Sequence, residues 1–303
     1  MSLSNFSDRE AVSVIVVNYN AGALLTSCLN HVLHRVRQVI VVDNGSNDSS
    51  IDKLPDELAR SETLKIIRVN QNRGYSAACN IGLNAATEPF ILFLNPDCLL
   101  TETSLHQLMN VMTSDEQIGM VGGRLINPDG TEQRGARRSV PTPWRAFVRA
   151  FGLHRFADRW PRLFADFNHH GRSLPDAPAV VEAISGAQML VRKKAIEDVG
   201  FWDEGYFLHC EDLDMCMRFR QREWKIVFVP YVSLVHYQGT CSQRRPFFVE
   251  WHKHKGMIRF YRKFFHHQYP GLLFWLVTAG VWLRFGAVVV MTGWKRFRQG
   301  FTK

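Results

Sequence analysis

Paired cysteines are the first thing this 303-residue chain lacks. Its six cysteines (Cys28, Cys79, Cys98, Cys210, Cys216 and Cys241) are scattered, with no C-x-x-C pair. That argues against a zinc site or a disulfide framework and for free thiols in a reducing compartment. No leader is expected either: the first ten residues are polar, and the apolar run Val12–Val17 is too short for a signal peptide and reads as a strand. The bulk of the chain is therefore expected in the cytoplasm. No G-x-G-x-x-G and no phosphate-cradling lysine motif follows that strand, where Asn18-Tyr19-Asn20-Ala21-Gly22 stands instead. This removes nicotinamide dehydrogenases and P-loop NTPases, and the absence of a Gly-rich basic loop speaks against a nucleotidyltransferase. Repeats and low-complexity stretches are absent, and 46% hydrophobic with 21% charged residues suits a folded protein. Acids are scarce in one place. From Cys241 onward 12 Lys/Arg face the single acid Glu250, whereas the first 240 residues carry 25 basic and 27 acidic side chains. The net charge of +9 thus belongs to the tail.

What is present in the first 125 residues is strand–helix alternation. Strands are expected at Val12–Val17, Val39–Val42, Leu64–Val69 and Phe90–Leu94. Helices are expected at Ala23–Arg35, around Ser50–Arg60, at Ser76–Ala86 and at Glu102–Thr113. Such alternation with short connections predicts an α/β fold: a mostly parallel sheet flanked by helices, with ligands beyond the C-terminal strand ends. From about Arg134 to Pro178 the regularity fails, and Pro, Gly, His and Arg accumulate. A long insertion of this kind serves as a lid or binding loop, or is a variable surface excursion. Order resumes with strands at Val180–Ser185 and Gln188–Val191, a helix near Lys193–Val199, a helix at Glu211–Arg222 and a strand at Lys225–Val229 leading to His236.

Three polar clusters close strands. In Val-Val-Asp43-Asn44-Gly45-Ser46, a strand-end carboxylate followed by small residues suits a ribose or base edge, or an Asx-turn capping the next helix. In Leu94-Asn95-Pro96-Asp97, Pro96 fixes the backbone so that Asp97 faces the loop cluster, as a turn or as one hard oxygen ligand for Mg²⁺ or Mn²⁺. In Glu211-Asp212-Leu213-Asp214, three acids open an apolar helix. The helix dipole accounts for Glu211 and Asp214, which share a face, and leaves Asp212 as the functional candidate.

Taken in order, these motifs with Asn18-Tyr19-Asn20, Asn72-Arg73-Gly74-Tyr75, Asn80-Ile-Gly82, Gly186-Ala-Gln-Met and His236 resemble the inverting family-2 glycosyltransferases of the GT-A fold. Within them the chain is most similar to rhamnosyltransferase-type enzymes of bacterial O-antigen and cell-wall assembly, from Val12 to about Gln238. The resemblance implies that Asn18, Tyr19 and Asp43 contact the nucleoside of a dTDP- or UDP-sugar, with Asn72, Gly74, Asn80 and Gly186 near the donor. It implies that Asn95 and Asp97 stand at the family's D-x-D positions, with one carboxylate left for a divalent metal (Mg²⁺ or Mn²⁺) and His236 completing the site. It makes Asp212 the catalytic base and L-rhamnose from a dTDP donor the expected sugar. A non-catalytic nucleotide-sugar-binding membrane adaptor is the alternative.

The division expected is a GT-A domain over residues 1–240, with an insertion at about 134–178, and a helical membrane-associating segment over 241–303. In the latter, Gly271–Leu283 and Phe285–Trp294 are apolar, Arg284 interrupts them, and Lys295, Arg296 and Arg298 close the run. The two halves are expected to lie as helices in the interface of an anionic membrane, a single tilted span or a buried hairpin being the other options. So apolar a tail leaves nucleic acid out as a partner. A lipid-linked acceptor, a glycan on polyprenyl diphosphate, follows from tail and family together, at the cytoplasmic face of the plasma membrane.

Overall fold

The structure, a computed structural model, describes residues 9–101, 103–164, 166–169, 173–237, 239 and 245–300. The expected boundary at 240/241 and the end of the resemblance at Gln238 lie outside the described residues, as do the side chains of Lys295 and Arg296. The strands are β1 (Glu10–Asn18), β2 (Val36–Asn44), β3 (Leu64–Val69), β4 (Phe90–Leu94), β5 (Cys98–Leu99), β6 (Ile118–Ile126), β7 (Arg137–Arg138), β8 (Ala179–Val180), β9 (Ala183–Ile184), β10 (Gln188–Arg192) and β11 (Lys225–His236). The α-helices are α1 (Ala23–Val32), α2 (Asp56–Ala59), α3 (Tyr75–Ala85), α4 (Ser104–Thr113), α5 (Pro143–Ala150), α6 (Pro161–Phe164), α7 (Lys193–Val199), α8 (Glu211–Gln221), α9 (Pro246–Phe265) and α10 (Leu272–Gly300).

The main sheet runs β3-β2-β1-β4-β10-β6-β11-β5, with β8 also on β11. β1 to β4 are mutually parallel, and β6 pairs β11 in parallel. β10 runs antiparallel between β4 and β6. This is the mostly parallel α/β sheet expected from the sequence. Alternation along β1 explains its continuous apolar run: Val12, Val14 and Val16 pack on one face with Leu25, Leu29 and Leu108, while Ile15 and Val17 pack on the other with Ala78 and Leu83. The sheet is sandwiched, so both faces of its central strands β1, β4 and β10 are largely buried.

Four local expectations change. β6, near the middle of the sheet, was not anticipated because Gly122-Gly123 interrupts its apolar run. Packing demands Gly123, where a Cβ would lie 2.8 Å from Val232 O, whereas a Cβ on Gly122 would lie 2.6 Å from the movable Ile184 Cδ1. The helix expected over Ser50–Arg60 shrinks to Asp56–Ala59, because Pro55 enforces an extended entry (ψ 142°). The strand expected over Val180–Ser185 divides: β8 pairs β11, while β9 turns to β7 in a separate two-stranded ladder. The strand from Lys225 runs on through Pro230 to His236, its register with β6 shifting between Val229 and Ser233.

The tail differs most. α9 is seated on the catalytic body through buried Phe260, Tyr261, Phe264 and Phe265. Arg259 pairs with Asp203 (2.7 Å), and Lys263 with Asp203 (3.0 Å) and with fully buried Asp214 (2.6 Å). Burial alone would raise the Asp203 carboxyl, but the bonds from Arg259 and Lys263 hold it down at about 2. α10 is one unbroken helix of 29 residues rather than two halves parted at Arg284. Arg284 is accommodated because its Nη1 lies 2.7 Å from Nε2 of His254 on α9.

Candidate active site

The site gathers at the C-terminal ends of β1, β2 and β4, where loops from three further parts of the chain meet. Parallel pairing sets Asn18 beside Asp43. Asn18 is wholly buried, its Nδ2 within hydrogen-bond distance of Asp43 Oδ1 (2.9 Å), Ser50 Oγ (2.8 Å) and Ser46 Oγ (3.0 Å). It thus stands behind a polar cleft of about 120 Å³ lined by Asp43, Ser46, Asn47, Ser49, Ser50, Ile51, Asp52 and Arg68. Tyr19 follows, half-buried. Asn44, which sequence reasoning passed over, pins the next loop: its Nδ2 donates to Asn72 Oδ1 and Gly74 O (3.1 Å each), and its Oδ1 accepts from Arg73 N (3.0 Å). Gly74 has φ +89°, and a Cβ there would meet Phe207 O at 2.7 Å. Asn80 is fully engaged with the protein, donating to Trp202 O and Glu204 Oε1 and accepting from Trp202 N, each at 2.9 Å. Its amide holds the 202–204 turn.

Asp97 and His236 come together because β5 pairs antiparallel with the end of β11, His236 opposite Cys98. Both are about 6% exposed, and His236 Nε2 lies 3.2 Å from Asp97 Oδ1. With Cys98 they form a buried cluster whose ligand atoms all lie within 4.8 Å of one another. Asp97 Oδ1 is buried without a hydrogen-bond partner. An orphaned carboxylate oxygen facing an imidazole nitrogen suits a hard divalent cation. Burial, and then the Asp97 charge, pushes the Cys98 thiol far up, and Mg²⁺ or Mn²⁺ prefers oxygen to sulfur. On the far side of His236, Gln133 bonds Nδ1 (2.7 Å) and the residue's own carbonyl (2.6 Å).

Asp212 opens α8. His209 and Cys210 both adopt left-handed backbone (φ 68° and 70°), a sharp entry that turns the acidic triplet inward. The three acids then separate as their faces required. Asp214 is wholly buried against Arg218 and Lys263. Asp212 is clamped: Arg138 Nη2 pairs with Oδ2, Gly186 N donates to Oδ2 (3.2 Å), and Leu213 N donates to Oδ1 (2.8 Å). Glu211 is buried with an unpartnered Oε2, and its carboxyl is pushed up to about 8 by burial and then by the Asp212 charge. Arg138, inside the irregular insertion, carried no periodic signal.

One dipeptide joins the two halves. Gly186 N bonds Asp212, while the next carbonyl, Ala187 O, accepts from Asn95 N at 2.9 Å, two residues before Asp97. Gly186 also takes a hydrogen bond from Tyr75 Oη (3.2 Å), and a Cβ on it would press to 3.1 Å from Asp212 Cβ.

A nucleotide-sugar type of sheet with strand-end acids and an inward-turned aspartate is the GT-A arrangement, and the chain belongs to glycosyl transferase family 2, whose model matches residues 13–179. The protein is a glycosyltransferase. Among characterised relatives, it is 27% identical over 252 residues to N-acetylglucosaminyl-diphospho-decaprenol L-rhamnosyltransferase of Mycobacterium tuberculosis, covering 78% of this chain and 79% of that one. It is 23% identical over 237 residues to the low-salt glycan biosynthesis hexosyltransferase Agl10 of Haloferax volcanii, covering 77% and 69%. Among solved structures, the mannosyltransferase PcManGT of Pyrobaculum calidifontis, in complex with GDP-Man and Mn²⁺, superposes with a TM-score of 0.56 at 18% identity, over 85% of this chain and 65% of that one. GalNAc-T7 with UDP, GalNAc and Mn²⁺ superposes at 0.57 with 17% identity, over 74% and 43%.

Proposed function

We propose that the protein moves L-rhamnose, with inversion, from a dTDP donor to a hydroxyl of a glycan carried on polyprenyl diphosphate, at the cytoplasmic face of a membrane. The Gly186–Ala187 link carries the reading. It ties the strand-end loop of Asp97 and the helix entry of Asp212 to adjacent peptide groups, as one displacement between a diphosphate and an acceptor hydroxyl demands.

In this reading Asp43, with Tyr19, takes the nucleoside, and Asn72 and Gly74 border the donor. Asn18 and Asn80 act from behind by holding loops. Asp97 and His236 would hold Mg²⁺ or Mn²⁺, which would supply positive charge for the departing diphosphate. Asp212 accepts the acceptor proton on Oδ1, which keeps a lone pair beyond its bond from Leu213. Arg138 and the Gly186 amide hold that carboxylate in place and aimed. The acceptor oxygen bonds to the anomeric carbon as the bond to the diphosphate oxygen breaks, so no sugar–enzyme bond forms.

Membrane contact is read from the tail. α10 contains a 23-residue stretch, Leu272–Trp294, of mean hydropathy 1.9, long and apolar enough to cross a membrane. Its large side chains, Leu272, Trp275, Leu283 and Trp294 among them, are exposed. The relative's name supports the rhamnose and lipid assignments. The test is nucleoside-diphosphate release from dTDP-rhamnose, UDP-sugars and GDP-sugars, with and without Mn²⁺, in the presence of a polyprenyl-diphosphate acceptor. Release from dTDP-rhamnose alone is expected. Turnover confined to another donor discards rhamnose, and turnover of none discards the reading.

A further inference from the structure

We propose that the insertion segment Pro143–Phe164 is a second lipid-docking element, distinct from the tail, whose occupant is an anionic membrane surface. α5 is turned the wrong way for a soluble protein. Val148 is fully buried, while Trp144, Phe147 and Phe151 form a stripe on the outside, at spacings of three and four. They contact one another across this face: Trp144 stacks on Phe147 at 5.5 Å, and Phe147 meets Phe151 in a tilted contact at 4.5 Å. The aromatic surface continues through Phe156 and Trp160, with Phe151 66% and Trp160 48% exposed.

Charge identifies the occupant. The segment holds five arginines and one acid, Asp158. Arg145 and Arg149 serve the interior, pairing with Glu182 (2.9 Å) and Asp166. Arg155, Arg159 and Arg162 are exposed. Arg155 and Arg159 lie over the rings of Phe156 (5.0 Å) and Trp160 (5.5 Å). Outward aromatics interleaved with arginine fit the headgroup boundary of an anionic bilayer, where rings enter the interface and guanidinium groups meet phosphate. An acidic protein partner would use the arginines but leave the apolar stripe uncovered. The segment is also anchored to the site, since it leaves the strand that carries Arg138, and Ser139 N bonds Phe167 O (2.8 Å) on its return. Seating it on lipid brings the membrane beside Asp212, and only this role in delivering a lipid-linked acceptor rests on the function proposed above.

The test is sedimentation of the full chain with phosphatidylcholine vesicles, with and without phosphatidylglycerol. Arg155→Glu/Arg159→Glu is expected to weaken binding to the anionic vesicles about tenfold or more, and Arg155→Lys/Arg159→Lys to leave it near wild type. Phe151→Ser/Trp160→Ser is expected to weaken binding to both compositions. Unchanged melting temperatures establish that the variants are folded. Folded Glu and Ser variants that partition like wild type overturn the proposal. So do variants that alter self-association without vesicles and leave partitioning unchanged, since the face would then belong to a second copy. If vesicle binding falls as expected but no donor is turned over, the docking surface stands and the rhamnosyl reading fails.

Discussion

Gln133 decides which nitrogen of His236 faces Asp97. Its Nε2 donates to the His236 carbonyl at 2.6 Å, so its Oε1, 2.7 Å from His236 Nδ1, is left to accept. When the ring is neutral Nδ1 therefore carries its proton, which leaves the Nε2 lone pair on the side of Asp97 Oδ1, 3.2 Å away. That is the form in which an imidazole ligates a cation beside a carboxylate. Gln133→Leu is expected to weaken Mn²⁺ affinity about 10–100-fold, as loss of a residue that orients a metal-bound histidine does. Titration of Mn²⁺ into the donor-release assay measures it. Unchanged half-saturation would show that His236 is not a ligand.

Asp212→Asn keeps the shape of the side chain and removes its basicity. Transfer is expected to fall about 10²–10⁴-fold, the span general-base catalysis supplies, while dTDP still shifts the melting temperature. Arg138→Leu is expected to act through Asp212, lowering kcat more than it raises donor KM. Near wild-type turnover by Asp212→Asn would transfer the base role to another group, with buried Glu211 the nearest candidate.

Glu211 makes stability depend on pH with a definite sign. Its carboxyl is pushed up to about 8 in the folded chain, from an ordinary value of 4.5. The native state therefore holds a proton that the unfolded state has lost, and the stabilisation is complete below the lower value. It is lost as pH rises toward the upper one. Glu211→Gln carries the neutral form permanently. Its melting temperature is expected to gain on wild type steadily from pH 5 to pH 8, and parallel curves would contradict the assignment.

Much of this was legible because it is local. Strand ends at Asp43 and Asp97 announce themselves by an apolar run that stops at a carboxylate, and the parallel sheet follows from alternation. What escaped depends on contacts far along the chain. β6 is disguised by glycines packed against Ile184 and Val232. Arg138 sits in a two-residue strand and Gln133 in irregular backbone, too short or too uneven for a period to mark a side chain as inward. Asn80 was legible as a motif residue, yet its three bonds to residues 202 and 204 span more than 120 positions.

Asn80 accordingly yields a structural prediction. Asn80→Ala leaves Trp202 O and Trp202 N without partners in a buried place, a loss of about 1–3 kcal/mol per unsatisfied group. A lower melting temperature with an unchanged donor KM is expected. A raised KM at unchanged stability would return Asn80 to the donor.

The placement of α10 follows from what α9 can tolerate. Leu272–Trp294, 23 residues, would reach about 34 Å as a helix against a hydrocarbon core of about 30 Å. But α10 is tied to α9 at both ends of its first half. Arg262 lies over Phe274 (5.9 Å), while Trp251 packs on Trp282 (5.0 Å) and Phe285 (5.7 Å), beside the Arg284–His254 bond. α9 carries Glu250, Lys253, Lys255, Arg259, Arg262 and Lys263, and two of these hold Asp203 on the catalytic body. Immersing such a helix costs about 2.5–3.5 kcal/mol for each charge near the centre. The part of α10 past Phe285 is too short to cross alone. α10 is therefore expected to lie in the membrane plane, so that alkaline carbonate strips the wild-type protein from membranes. Arg284→Leu removes the polar tie and one central charge together, and is expected to move protein into the carbonate-resistant pellet. Wild-type protein that resists carbonate and yields only to detergent would mean that α10 leaves α9 and crosses.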